Sequence, residues 1–398
     1  MRRTKVLVRT DKGQGRQGIR LVALVGAVLL ATTLGCRMAD DHGRAARAHM
    51  VISSEVTCPT CTIVVESGLT LEGAYVGRLP SENLARHPQG LFYLVVDAGD
   101  RLLKLYGANG QLVRQVGRRG AGPGEYELIR NVMFADDGSI LVLDAALARL
   151  STFSPAGDFV RSVQVPVFGG YGQPAVLMPN GQLVVSAAAP LLRPAATGYA
   201  LTIIDREGNV AGMLDEVAGA DPRRWWLYER VLERGPDGDL LVGHPYTFTV
   251  DVYSWHPSKP PTKQLSIRRV GDWIPSEPPE SDPSDGLFDE PPTPVLVLVW
   301  QDKEGFLWLG MFIPSASWIP APPPRRGMLN EEIVSRLSRR PRVEQIIEVI
   351  DLQRGAVVTR LRRTRGIGYH LGGGYFAEPV EGSLGEPSLQ TLRVKLRR

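Results

Sequence analysis

The chain has three cysteines, and two of them, Cys58 and Cys61, form a Cys-x-x-Cys pair. That spacing can carry a redox couple, a c-type haem or half of a zinc site. The redox reading needs a βαβ surround, haem needs a histidine where Thr62 stands, and zinc needs two more ligands close by. None of these accompanies the pair, so a small structural disulfide is the expected chemistry. The six histidines, His42, His49, His87, His244, His256 and His370, show no metal-ligand spacing, and neither calcium nor zinc is expected. A third constellation concerns anions. Arg130, Arg230 and Arg365 each stand eight residues before a glycine that closes a turn (Gly138, Gly238, Gly373), and Glu82 occupies the same place before Gly90. With Asn131, His87 and His370, these residues make a candidate ligand-binding rim at one channel mouth, suited to a carboxylate, phosphate or sulfated glycan. Trp225, Trp226, Trp273 and Trp318 lie in connectors, where aromatic rings stack on sugars or peptides, or cap a core.

The elements that must position these side chains are short strands. From Gly117 to Pro166 a Gly/Pro-rich connector leads into four apolar runs separated by tight-turn residues, which is one propeller blade. Five further copies follow the same register: blade one over 82–117, then blades three to six with inner strands beginning near Gln173, Tyr228, Val295 and Gly368. The turn glycines Gly90, Gly138, Gly181, Gly238, Gly305 and about Gly373 recur near the spacing of blade repeats, wider in the second half. The last blade lacks an outer strand. Thr62–Leu71, which has no blade of its own, is expected to supply it and close the ring.

Two insertions interrupt blade five. Residues 271–294 are Pro- and acid-rich, and residues 314–342 contain Ala-Pro-Pro-Pro followed by a short helix capped by Asn330. Long loops on a rigid scaffold are where binding usually resides.

Residues 1–35 read as a signal peptide, a basic stretch followed by an apolar run too short for a comfortable membrane span. It ends Thr33-Leu34-Gly35-Cys36, similar to a bacterial lipobox, so Cys36 is expected to be acylated and the protein membrane-anchored in the periplasm or at the cell surface. Residues 36–57 read as a flexible tether. The formal charge of +4 belongs to the leader, which holds seven Lys/Arg and one acid. Without it, 39 bases face 41 acids, and the electrostatic case for nucleic acid disappears.

Gly120-Ala121-Gly122-Pro123-Gly124-Glu125-Tyr126 resembles the connector after the first blade in exported bacterial six-bladed β-propeller lipoproteins of the NHL-like and TolB-like group, in which a Cys-x-x-Cys precedes the ring. The resemblance implies an all-β fold, a six-bladed propeller over 58–398, and an exported compartment, with no activity attached. The expectation is a monomeric binding or protein-interaction module, with no cofactor and a small anion, glycan or protein as partner. The alternatives are a metal-dependent lyase or lactonase and a glycan-binding surface protein.

Overall fold

The computed structural model describes residues 49–77, 83–166, 174–186, 197–218, 221–257, 259–271, 273–275, 277–283, 290–320 and 343–398. The chain divides into two units, Met1–Arg44 and Ala45–Arg398. The first, which includes Cys36 and the stretch expected to be a signal peptide, lies outside the described residues, as do Glu82, Gln173 and the helix expected at Asn330.

The second unit is a six-bladed β-propeller with no α-helix among its described residues. Blades I to V each run outward in chain order. Blade I comprises Leu84–Arg86, Phe92–Val96, Leu103–Gly107 and Leu112–Val116; blade II comprises Ile129–Phe134, Ile140–Asp144, Arg149–Phe153 and Phe159–Gln164. Blade III is Ala175–Leu177, Leu183–Ser186, Thr197–Ile204 and Val210–Ala218, and blade IV is Val231–Arg234, Leu240–His244, Thr249–His256 and Lys259–Arg269. Blade V is Val295–Gln301, Phe306–Pro314, Val343–Asp351 and Ala356–Arg363. Blade VI runs Tyr369–His370, Tyr375–Glu381 and Pro387–Arg397, and its outer strand is Thr62–Leu71, antiparallel to Pro387–Arg397 with Thr62 opposite Arg397.

Ring closure is visible in the packing. Six hydrophobic clusters lie one to each junction between neighbouring blades, and an open row of six blades would have only five junctions. The closing junction packs Leu84, Tyr93 and Val95 of blade I against Leu71, Ala377 and Leu389 of blade VI. Trp300 and Trp308 stack at 5.1 Å between blades V and VI, and both are buried. Alternation of side chains along each strand supplies one face to each junction, which is why short, strongly apolar strands suffice.

The stretch expected to be a tether is ordered at its end. Met50–Ile52 adds a fifth strand to blade IV, parallel to Lys259–Arg269 with Met50 opposite Ile267. Thr57 and Cys58 then donate backbone N–H groups to Val357 and Val358 of blade V, at 2.8 and 3.0 Å. The Cys58–Cys61 disulfide follows, and the chain enters blade VI. This strap therefore follows the outer edges of blades IV, V and VI in turn. It is held by charge as well as by backbone: Glu348 binds Arg269 through both oxygens, at 2.6 and 2.8 Å, and also Arg360 at 2.7 Å. Arg269 reaches the carbonyl of Ile52, and Arg360 that of Ser54.

Candidate functional site

Antiparallel strands place the turns between first and second strands at one face of the ring, and the connectors between blades at the other. The described parts of the two insertions and the connector tryptophans belong to the connector face. There Trp225 is 40% exposed and its indole N–H donates to Asp282. Burial, with Asp282 nearby, pushes the Glu229 carboxyl up to about 7.

The residues predicted for a single mouth are divided between the two faces. Arg130, Asn131 and Arg230 stand at the beginning of the inner strands, while His87 and His370 stand at their far ends, about 13 Å along a strand. Arg230 is buried and its guanidinium is spent on Asp215 and on the carbonyls of Leu227 and Glu229. Arg130 is half-buried beside the buried Asn131. Arg365 is exposed in the connector before blade VI.

Backbone pairing explains why Arg365 leaves the register. Leu371 N–H bonds Tyr375, as Ala135 bonds Ser139 and Gly235 bonds Asp239, so the turn glycine of blade VI is Gly374 rather than Gly373. A slip of one residue turns each side chain to the other face of a strand. Eight positions before Gly374 stands Gly366. The same slip separates the two histidines. His370 aligns with Arg86 and Arg234, not with His87. His87 instead lies edge-on to Phe92 and Phe134 at the junction of blades I and II, and its Nδ1 accepts from Gln89.

At the turn face, contacts cross the central axis, because they join blades that are not neighbours. Arg234 of blade IV forms a two-pronged ion pair with Asp136 of blade II, 2.9 Å on each arm. Glu233 of blade IV accepts from the Gly373 N–H of blade VI at 3.2 Å, and its other oxygen lies 3.8 Å from His370 Nδ1. Gly372, Gly373 and Gly374 have φ of 87°, 56° and 80°, a run of left-handed backbone that only glycine adopts easily. A side chain at Gly372 would meet the Glu233 carboxylate at 3.4 Å. Directly after this turn comes Tyr375, whose ring carries the Arg86 guanidinium of blade I at 3.6 Å from its centre.

Two polar atoms at this mouth lack hydrogen-bond partners. Arg86 Nε and His370 Nε2 are buried without a hydrogen bond. Glu233 and His370 face each other across a gap too long for a direct bond. Burial pushes the Glu233 carboxyl up to about 8, against the opposing pull of the Gly373 N–H, and pushes His370 down to about 4, so both are uncharged near pH 7. No carboxylate pairs with Arg86 among the ion pairs of the described residues, whereas Arg234 is committed to Asp136. Of these residues the sequence reading identified only His370. Arg86, Glu233, Arg234 and Tyr375 were missed; the signal available for Arg86 and Arg234 was the polar residue four positions before the turn glycine in blades I, IV, V and VI.

Two other arrangements bear on chemistry. Asp215, His244 and Asp251 bring metal-ligand atoms within 4.8 Å of one another. Their charge is already balanced: Arg230 pairs with Asp215, and Lys263 lies 2.7 Å from Asp251. Burial alone would raise the Asp251 carboxyl, but hydrogen bonds from His244 and Lys263 outweigh it and hold it well below the usual carboxylate range. A divalent cation would have to displace that lysine, so these residues do not fit a resident metal. The connector Gly120–Tyr126 is likewise not a phosphate cradle, because the Glu125 carboxylate itself accepts the Gly122 N–H at 2.7 Å.

A family model described as a 6-bladed beta-propeller matches residues 90–212. Among solved structures, a Bacteroides fragilis protein inferred to be exported shares 13% identity, with 87% of this chain and 99% of that chain covered and a TM-score of 0.51. A member of the duf4221 family from Bacteroides vulgatus shares 14% identity over 85% of this chain and 99% of that chain, with a TM-score of 0.57. These likenesses show the fold. No curated protein matches the sequence.

Proposed function

We propose that this six-bladed propeller is a ligand-binding protein that takes a small molecule at the turn-face mouth of its channel. The observation that carries this reading is the convergence of Arg86, Glu233 and His370, from three different blades, with polar atoms left unsatisfied at one place. Buried polar groups are ordinarily paired, and an unpaired one costs about 1–3 kcal/mol. A mouth that leaves an arginine without a carboxylate and the gap between Glu233 and His370 unbridged is preorganised for something that completes them. The Bacteroides fragilis relative's description as exported, together with the basic leader and Cys36, supports placing the protein outside the cytoplasm on a lipid anchor. Palmitate labelling lost in Cys36→Ala is the expected result for the anchor, and labelling that persists argues against it.

The site is tested by thermal-shift screening of sugars, organic acids, amino acids and nucleotides against wild type and Arg86→Met. Compounds that raise Tm in wild type only are expected. Hits that stabilise both proteins equally would place binding elsewhere.

A further inference from the structure

We infer that the ligand is a monoanionic hydroxy-carboxylate, a uronic acid or a similar sugar acid, with its carboxylate on Arg86 and a hydroxyl between Glu233 and His370. This rests on the turn-face mouth being the binding site and adds the chemical class that the mouth selects.

The charge count comes first. Arg86 has no carboxylate partner among the ion pairs of the described residues; Arg234 is neutralised by Asp136, and Arg393, 5.4 Å from the Tyr375 ring, is exposed to solvent and stands opposite Glu66 across the strand pair. One uncompensated cation matches one negative charge, and a phosphate dianion would be left with a second charge unmet. A ligand with no charge would leave Arg86 as unpaired as it is without one. The guanidinium lies against Tyr375, and its contacts to the carbonyls of His87 and Pro88 are long, at 3.4 and 3.5 Å. A planar fork held in this way suits the two oxygens of a carboxylate.

The hydroxyl follows from the other side of the mouth. The 3.8 Å between the Glu233 oxygen and His370 Nδ1 admits one oxygen atom at hydrogen-bond distance from both. His370 Nε2 is buried beside the rings of Trp300 and Phe376, whose centres lie 5.6 and 5.0 Å from that of the imidazole. The ring proton is assigned there, where an N–H can rest on an aromatic face. Nδ1 is then an acceptor. Glu233 already accepts the Gly373 N–H on one oxygen and, being protonated near neutral pH, donates from the other. A hydroxyl fits between them, donating to Nδ1 and accepting from Glu233. The Tyr375 face is covered by Arg86, so recognition here is polar rather than by ring stacking.

The groups facing Glu233 are His370, the Gly372–Gly374 backbone, the Arg234–Asp136 pair beside it and Arg86 beyond Tyr375. When Glu233 loses its proton, a carboxylate faces the ligand's hydroxyl and adds a negative charge beside the bound anion. Affinity therefore declines as the pH rises past 8.

The test is calorimetric titration of the full exported chain with galacturonate, glucuronate, galactose and inorganic phosphate at pH 6.5 and 9. A uronate is expected to bind at least tenfold more tightly than galactose or phosphate at pH 6.5, and at least tenfold more weakly at pH 9. Arg86→Met should remove uronate binding while keeping the wild-type circular dichroism, and Glu233→Gln should retain binding and flatten the pH dependence. Galactose or phosphate binding as tightly as the uronates, yet still lost in Arg86→Met, overturns the ligand class and leaves the site standing. Binding of any probe that Arg86→Met leaves untouched overturns the site as well, and no binding by either uronate overturns the class.

Discussion

Replacing Glu348 with alanine should loosen the strap before it unfolds the ring. Glu348 and Arg269 have fully buried side chains, and Arg360 is 26% exposed. Deleting the carboxylate leaves the Arg269 charge with only carbonyl oxygens as partners in a site closed to water, whereas Arg360 can turn outward. Breaking one side of a buried pair typically costs about 3–5 kcal/mol. Melting entropy of about 2.1 cal/mol/K per residue over Ala45–Arg398 converts this to a fall in Tm of roughly 4–7 °C for cooperative unfolding. The location of the loss is more diagnostic than its size. Arg269 and Arg360 hold the Ile52 and Ser54 carbonyls, so hydrogen exchange should accelerate over residues 50–58 more than in blades I to III. The double replacement Arg269→Met with Glu348→Leu should restore most of the stability, because apolar groups of similar size remove the unpaired charge. A Glu348→Ala protein that melts like wild type, or whose added exchange is spread evenly around the ring, would refute this account of the strap.

Further expectations concern the channel and the turns. Glu233, raised to about 8, stabilises the fold below its unfolded value near 4.5 and loses that contribution as pH rises through 8; His370, lowered to about 4, costs stability as pH falls from 6.5 toward 4. The two slopes oppose each other between roughly pH 4.5 and 6.5, leaving a net fall in Tm from 6.5 to 8 that should vanish in Glu233→Gln, as melts across that range will show. Gly110→Ala should destabilise well beyond Gly305→Ala in urea titrations. Both have positive φ, but a Cβ at Gly110 would lie 1.9 Å from the Thr70 carbonyl whereas Gly305 faces open space, where about 1 kcal/mol is expected. Reduction of Cys58–Cys61 should cost about 2 kcal/mol from loop entropy, read as a shift in urea midpoint with and without reductant.

Much of the fold could be read from the chain because turn chemistry and alternation are local. Asp-Asp-Gly at 136–138 and Asp-Gly at 237–238 announce their hairpins, and the unmatched strand Thr62–Leu71 implied closure by itself. Met50–Ile52 could not be seen, since three residues in a parallel pairing leave no alternation to detect. The site was less legible. Counting from Gly373 instead of Gly374 placed Arg365 in a ring it does not join and paired His370 with the wrong histidine. Beyond that slip, Arg230 looked available because Asp215, its partner, belongs to another blade, and Arg86 was passed over because its lack of a partner is a property of the assembled mouth. Contacts across an axis have no signature along a strand.

The strand that completes blade VI has a consequence for how the protein is made. Thr62–Leu71 leaves the ribosome among the earliest parts of the ring, yet its hydrogen-bonding neighbour, Pro387–Arg397, is among the last. Through nearly the whole of synthesis its edge is open, and loop closure over such a separation is slow to find. Glu66 and Ser67 in its middle keep that waiting edge polar, which discourages pairing with another chain. The ring is thus complete only when both Thr62–Leu71 and Pro387–Arg397 have been made, so an interrupted or truncated chain forms blades without forming the channel.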